Sequence, residues 1–145
     1  MNSIRDIHPD FQYYLKYKDQ ELIDLYTDLR NFILSLYPES IEILYHTHAL
    51  TSVYSTSEKL GDAFCMIPIY TNHLNLGFNK GSLLKDNDKL LKGTGKLIRH
   101  IPIIKTKDYN NNKVSNLVKN AIDLAISNMK SQPKTSGLTI SKIKI

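Results

Sequence analysis

The residues best suited to chemistry stand close together in the segment Lys92-Gly93-Thr94-Gly95-Lys96-Leu97-Ile98-Arg99-His100. Its two glycines permit a tight turn that exposes backbone N–H groups, and a run of such groups can hold an anion. Lys96, Arg99 and His100 add positive charge, although a strand over 97–104 would turn Arg99 away from the other two. The segment predicts a site for a small anionic ligand. The alternative is a glycine turn that enters a strand with solvated charges at its edge.

A second set of candidate ligands is the pair His46 and His48. On one strand the two imidazoles would share a face, which suits a metal pair. No cysteine pair, no H-E-x-x-H motif and no carboxylate at matching spacing completes the set. The alternative places both histidines in an exposed turn between strands.

Cys65 lies between Phe64 and Met66 in an apolar stretch, which predicts a buried and unreactive thiol. The chain also lacks the sequence motifs of serine nucleophiles and of dinucleotide binding. Leu90 and Leu97 stand where a nucleotide-binding loop has its first glycine and its hydroxyl residue. The sequence therefore favours a binding domain over an enzyme.

Composition limits the class of protein. A chain of 145 residues can form one domain with its own core, and 41% hydrophobic with 23% charged residues is typical of globular rather than disordered proteins. The single cysteine excludes an internal disulfide, no apolar run approaches about 18 residues, and no secretory signal is visible. We expect a cytoplasmic protein without a membrane partner. The net charge of +5 is scattered, which argues against nucleic-acid binding despite nine tyrosines.

Periodicity predicts the elements that must position these residues. Apolar residues at steps of three and four predict a long helix over 19–37, ended by Pro38, with Arg30 on its polar face. A shorter helix precedes it, and a second clear amphipathic helix covers 114–129. Between them we expect about five short strands: 41–45, 50–55, 63–70, 74–78 and 97–104. This order predicts a two-layer α+β domain, an antiparallel sheet flanked by N- and C-terminal helices.

The last residues differ in composition from the rest. We divide the chain into a single domain over 1–131 and a tail over 132–145, whose polar residues, Pro133 and Gly137 are typical of a loose arm. Its apolar residues favour an edge strand or contact with a protein partner instead: Leu138, Ile140, Ile143 and Ile145.

Several stretches of the chain together form a familiar pattern: Leu60-Gly61-Asp62-Ala63-Phe64-Cys65, then Tyr70-Thr71-Asn72-His73-Leu74-Asn75-Leu76-Gly77-Phe78, Gly81, Leu90-Leu91-Lys92-Gly93-Thr94-Gly95-Lys96 and Arg99-His100-Ile101, and upstream Leu29-Arg30 and Pro38-x-x-Ile41-Glu42 leading to Tyr45. The pattern resembles the YdhG-like family of small bacterial domains of unknown function, over roughly residues 20–126. Its most specific part, G-T-G-K-x-x-R-H after N-x-L-G-F, marks the family rather than a reaction.

The resemblance implies a compact α+β domain whose antiparallel sheet is covered by helices. Some relatives are described as frataxin-like iron chaperones, so the resemblance also implies an intracellular protein that binds iron and delivers it.

We therefore expect a site on a concave sheet face, with Gly93–His100 as one rim and Tyr45, His46 and His48 as the other. The leading function is non-enzymatic binding of a small anionic molecule there. The alternatives are an iron-binding chaperone and a protein-interaction module, monomeric or oligomeric, that uses the apolar tail.

Overall fold

Within residues 5–145, the computed structural model contains three α-helices and six β-strands. The helices are α1 (Pro9–Leu15), α2 (Gln20–Leu36) and α3 (Asn112–Asn128). The strands are β1 (Ile41–His46), β2 (Leu50–Ser55), β3 (Ala63–Ile69), β4 (Leu74–Phe78), β5 (Arg99–Ile103) and β6 (Thr139–Ser141). Short 3-10 turns lie at Leu60–Asp62, Gly81–Leu83 and Thr106–Asp108. The predicted α+β class is confirmed.

The helix α2 shows how the apolar spacing sets the fold. Residues three or four positions apart share a helix face, and the apolar ones here are buried against the sheet: Leu22, Tyr26, Leu29 and Ile33. The helix ends before Pro38, which disfavours helical conformation in the residue that precedes it. The prediction for Arg30 was wrong, because its side chain is only 2% exposed. It is buried because it finds a partner on β1, described below.

The strands form one sheet in the order β5-β4-β3-β2-β1-β6. Strands β1 to β5 pair antiparallel with one another, which confirms the predicted β3–β4 hairpin. The sheet has six strands rather than about five, since residues 139–141 of the predicted tail pair with β1. This sixth strand runs parallel to β1, so the sheet is antiparallel except at that edge.

The helices cover one face of the sheet and produce the two layers. Buried residues of all three helices join the large apolar cluster, to which the sheet contributes Leu44, Tyr54, Ile67, Leu76 and Ile101 among others. Ile143, beyond β6, also belongs to this cluster and is 8% exposed. The opposite face carries a smaller cluster: Ile41, Ile43, Val53 and Ala63, bordered by Tyr45, Met66, Leu138 and Ile140. No helix within residues 5–145 is long and apolar enough to cross a lipid bilayer.

Candidate functional site

The glycine segment forms a closed loop at the β5 edge of the sheet. The Lys92 N–H donates to the His100 carbonyl at 2.8 Å, and the His100 N–H donates to the Lys92 carbonyl at 2.9 Å. Strand β5 begins at Arg99, two residues later than predicted, so residues 93–98 lie outside the strand and are exposed. We call residues 93–98 the glycine loop.

The Arg99 side chain donates hydrogen bonds to the backbone of this loop. Its Nη1 donates to the carbonyl oxygens of Gly95, at 2.5 Å, and of Ile98, at 2.8 Å. Its aliphatic stem lies directly on Gly81, where an added Cβ would come within 2.5 Å of the Arg99 Cβ. Because only a glycine at position 81 permits this approach, the Gly81–Leu83 turn and the Arg99 side chain fix each other.

Ser82 donates hydrogen bonds to the carbonyl groups of Lys96 and Leu97, which lie between the two carbonyls that Arg99 binds. Its backbone N–H donates to the Leu97 carbonyl at 2.9 Å, and its hydroxyl donates to the Lys96 carbonyl at 2.8 Å. Four consecutive carbonyl oxygens, those of residues 95–98, therefore accept hydrogen bonds from protein donors.

The backbone N–H groups of the glycine loop are available to bind a ligand. In a trans peptide unit the N–H points away from the C=O of the same unit, and the chain has no cis peptide bond in the part that the structure describes. The bound carbonyls therefore turn the amides of Lys96, Leu97 and Ile98 away from Arg99 and Ser82. Among residues 5–145, no protein acceptor takes the N–H of any residue from 93 to 98. Exposed consecutive amides are what an anion requires.

The cationic side chains of the segment have different roles. Lys96 lies in the exposed loop, whereas the Arg99 guanidinium is engaged with the loop carbonyls. His100 is partly exposed, and strand alternation places it on the face opposite to Ile101 and the helices. Gly93 has φ +123°, a conformation that side chains rarely adopt, and it lies beside the His100 ring. Of the three side chains predicted to contact the ligand, Lys96 and His100 are thus the two that do not bind the loop carbonyls.

Tyr45 does not belong to this site. It lies on β1, and β2, β3 and β4 separate that strand from β5. At about 4.8 Å per strand, four steps place Tyr45 roughly 19 Å from the β5 edge. Tyr45 and His100 share a face of the sheet, but they are not two rims of one small-ligand site. The expectation of a single site between them was wrong because sequence patterning does not give strand order.

His46 and His48 do not form the expected pair. Strand β1 ends at His46, so His48 lies in the turn that follows and strand alternation does not align the two rings. The His46 ring packs on Tyr14 of α1, with ring centroids 4.0 Å apart. Across residues 5–145, no three His, Cys, Asp or Glu side chains are grouped as a metal site would require. Iron binding stays a prediction from the resemblance.

Cys65 is where the sequence suggested. It is fully buried on β3, and burial raises the pKa of its thiol well above the usual value. A neutral, enclosed thiol is a poor nucleophile. Cys65 therefore contributes packing rather than chemistry.

A buried ion pair that sequence reasoning missed joins α2 to β1. Arg30 donates from Nε to one carboxylate oxygen of Glu42 at 2.7 Å and from Nη2 to the other at 2.9 Å. The Tyr54 hydroxyl donates to Glu42 at 2.9 Å, and the Thr139 hydroxyl donates to it at 2.8 Å. Glu42 is 1% exposed. The signal for this network was a carboxylate placed inside the apolar run of β1.

The ion pair is also tied to both ends of the described chain. The Arg30 guanidinium donates to the carbonyl oxygens of Arg5 and Asp6, at 2.8 and 3.2 Å. Arg5 in turn donates to the carbonyl of Leu138, next to β6, at 2.9 Å. The network therefore fastens the segment before α1 and the last strand to the same point on β1.

Both members of the pair remain charged. Burial alone would lower the pKa of Arg30, but the hydrogen bonds and charge of Glu42 outweigh it, and the pKa of Arg30 is raised. Burial alone would raise the pKa of Glu42, but Arg30, with help from Thr139 and Tyr54, lowers that pKa below its usual value. A pair held in this way does not exchange protons near neutral pH, so it is a structural clamp and not a catalytic group.

The chain matches no protein-family model, no curated protein and no solved structure. The YdhG-like resemblance and the functions that it implies therefore stay predictions.

Proposed function

We propose that this protein is a small cytoplasmic binding domain, without catalysis of its own, that holds a small anionic molecule on the glycine loop. The observation that supports this is the asymmetry of the loop backbone. Arg99 and Ser82 take the carbonyl oxygens of residues 95–98, while the N–H groups of residues 93–98 have no protein acceptor among the residues described.

The chemistry of such a loop selects for negative charge. Exposed amide dipoles favour an anion, and a nearby ammonium group strengthens the attraction. Lys96 supplies that charge within the loop, and His100 stands beside Gly93. Phosphorylated and carboxylated metabolites are the ligand class that these donors suit. Because the loop is exposed, we expect the affinity to fall as salt concentration rises.

The test is a thermal-shift screen of the whole chain against inorganic phosphate and a panel of phosphorylated and carboxylated metabolites. A ligand that binds only the folded state, at 100 times its Kd, adds about 2.7 kcal/mol of stability. For a chain of this size that is a rise in Tm of several degrees. We expect Lys96→Ala to abolish the shift without lowering the Tm of the free protein.

The matched control is Lys119→Ala, which removes an exposed lysine from α3. This variant should keep the full ligand-induced shift and so show that general loss of positive charge is not the cause. A flat response across the panel, or an equal shift in Lys96→Ala and the parent, would overturn the proposal.

A further inference from the structure

The outward backbone groups of the two edge strands, β5 and β6, differ in whether they have hydrogen-bond partners. An unpaired edge strand presents a row of N–H and C=O groups that can pair with another strand. On the β5 edge, the backbone N–H and C=O of His100 point away from β4 and are hydrogen-bonded to Lys92. Residue 102 is proline and has no N–H. The Ile104 N–H donates to the Asp108 carboxylate at 2.8 Å. This edge is closed to further pairing.

Among residues 5–145, nothing protects the β6 edge in this way. The Leu138 carbonyl accepts from Glu42 at 2.9 Å and the Lys142 N–H donates to Leu44 at 2.8 Å, so even-numbered residues direct their backbone toward β1. Thr139 and Ser141 direct theirs outward, away from β1, and β6 is the outermost strand that the described residues form on this side. Within residues 5–145 these outward groups have no protein partner.

We propose that the β6 edge pairs with the β6 edge of a second copy of this chain, around a two-fold axis at Ile140. Two-fold pairing of identical strands is necessarily antiparallel, and it joins the two sheets into one. With Ile140 opposite Ile140, Thr139 of each copy lies opposite Ser141 of the other. Each of these two pairs exchanges two hydrogen bonds, so four form.

The sequence favours this register over its neighbours. An axis at Lys142 would oppose Lys142 to itself, and one at Ile143 would oppose Lys142 to Lys144; like charges directly opposite are destabilising. An axis at Ser141 would need the Ile143 N–H, which already donates to the Ser141 hydroxyl at 3.2 Å. The Ile140 register uses only free groups and sets Lys142 against Leu138.

The Ile140 register also suits the residues that follow β6. Residues 142–145 continue beyond β6 as an alternating Lys-Ile-Lys-Ile sequence. A second copy brings Leu138 and Ile140 to the stems of these lysines without opposing their charges. The pairing is short, so we expect a weak dimer whose population depends on protein concentration.

The first experiment is sedimentation equilibrium of the full chain and of two variants at one position. Ser141→Ala keeps the outward N–H, whereas Ser141→Pro removes it and leaves the bonds to β1 in place. Both variants lose the hydroxyl contacts of Ser141, and urea unfolding of each variant separates any effect of the proline ring on the fold from its effect on pairing. We expect a dimer in the parent and in Ser141→Ala, and a dissociation constant about tenfold or more higher in Ser141→Pro.

The second experiment reads the register. The native thiol, Cys65, is buried, so an introduced cysteine reports alone. In an antiparallel sheet the non-hydrogen-bonded pair has Cα atoms about 4.5 Å apart, which a disulfide can span. Mild oxidation should cross-link Ile140→Cys efficiently and Lys144→Cys poorly.

Three results would overturn the proposal: a parent chain that is monomeric at all concentrations, an equal dissociation constant for Ser141→Pro and Ser141→Ala, or more cross-linking in Lys144→Cys than in Ile140→Cys. A dimer that fails only the last two tests would place the interface elsewhere. The glycine loop lies on the opposite edge of the sheet, so these outcomes are independent of ligand binding.

Discussion

Replacing Arg30 with methionine tests the buried ion pair most directly. Methionine keeps much of the volume and apolar stem of the arginine but removes the guanidinium that donates twice to Glu42. The Glu42 carboxylate then stays buried with only the Tyr54 and Thr139 hydroxyls as side-chain donors. Breaking a buried pair by removing one partner costs about 3–5 kcal/mol. At about 2–4 °C per kcal/mol, the corresponding fall in Tm at pH 7 is roughly 6–20 °C.

The pH dependence of this loss separates electrostatics from packing. In the parent, the lowered pKa of Glu42 contributes stability that is present above the unfolded value of about 4.3 and is lost as pH falls through the folded value. In Arg30→Met, Glu42 loses its main cationic partner and keeps only the more distant charge of Arg5, so burial raises the pKa of Glu42 and the variant gains stability as pH falls from 7 toward 4.5. The difference in unfolding free energy should therefore shrink on acidification.

The measurement is urea unfolding followed by circular dichroism, at pH 7 and at pH 4.5. An exposed ion pair provides the control: Lys113 lies 3.7 Å from Asp88, and both side chains are at least half exposed. Lys113→Met should change the unfolding free energy by less than about 1 kcal/mol at either pH. A loss below about 1 kcal/mol in Arg30→Met, or a loss that is the same at both pH values, would refute the electrostatic reasoning.

Three further predictions follow from single contacts. Gly81→Ala should cost about 1–3 kcal/mol in urea unfolding, because the new Cβ would meet the Arg99 Cβ at 2.5 Å; an unchanged midpoint would contradict this. Cys65 should resist a thiol reagent at pH 8 until the protein unfolds, since burial raises the pKa of its thiol, and rapid labelling of the folded protein would show otherwise. Thr139→Val should cost about 1 kcal/mol by the same unfolding assay, since Glu42 loses one donor; a loss as large as that of Arg30→Met would be inconsistent with the guanidinium as the main partner.

Local patterns were sufficient to predict most of the elements. The periodicity of α2 and the alternation in β4 depend on neighbours a few residues away, and both were predicted within a residue or two. The turn between β3 and β4 is short enough to dictate an antiparallel pair. The burial of Cys65 followed from its apolar neighbours.

What failed depends on contacts that are distant in sequence. The place of Tyr45 relative to the glycine loop depends on strand order, and no local pattern encodes it. Arg30 was assigned to solvent because a charged side chain is buried only with a partner, and Glu42 was not identified as that partner. The hold of Arg99 on the loop carbonyls was missed as well, since a sequence shows charges but not the direction of a side chain.

The contacts that β6 makes with β1 and with Arg5 also imply an order in which this part of the protein folds. Glu42 finds Arg30 and Tyr54 at a separation of 12 residues each, but Thr139 is 97 residues away and the Arg5–Leu138 contact spans 133. During synthesis the first two partners are available long before β6 leaves the ribosome. Until then, β1 is the outer strand, with an incompletely bonded carboxylate behind it and a bare backbone edge that other nascent chains can reach. Docking of β6 completes the hydrogen bonds of Glu42 and covers the edge of β1, so the outer edge of the sheet becomes the backbone of Thr139–Ser141.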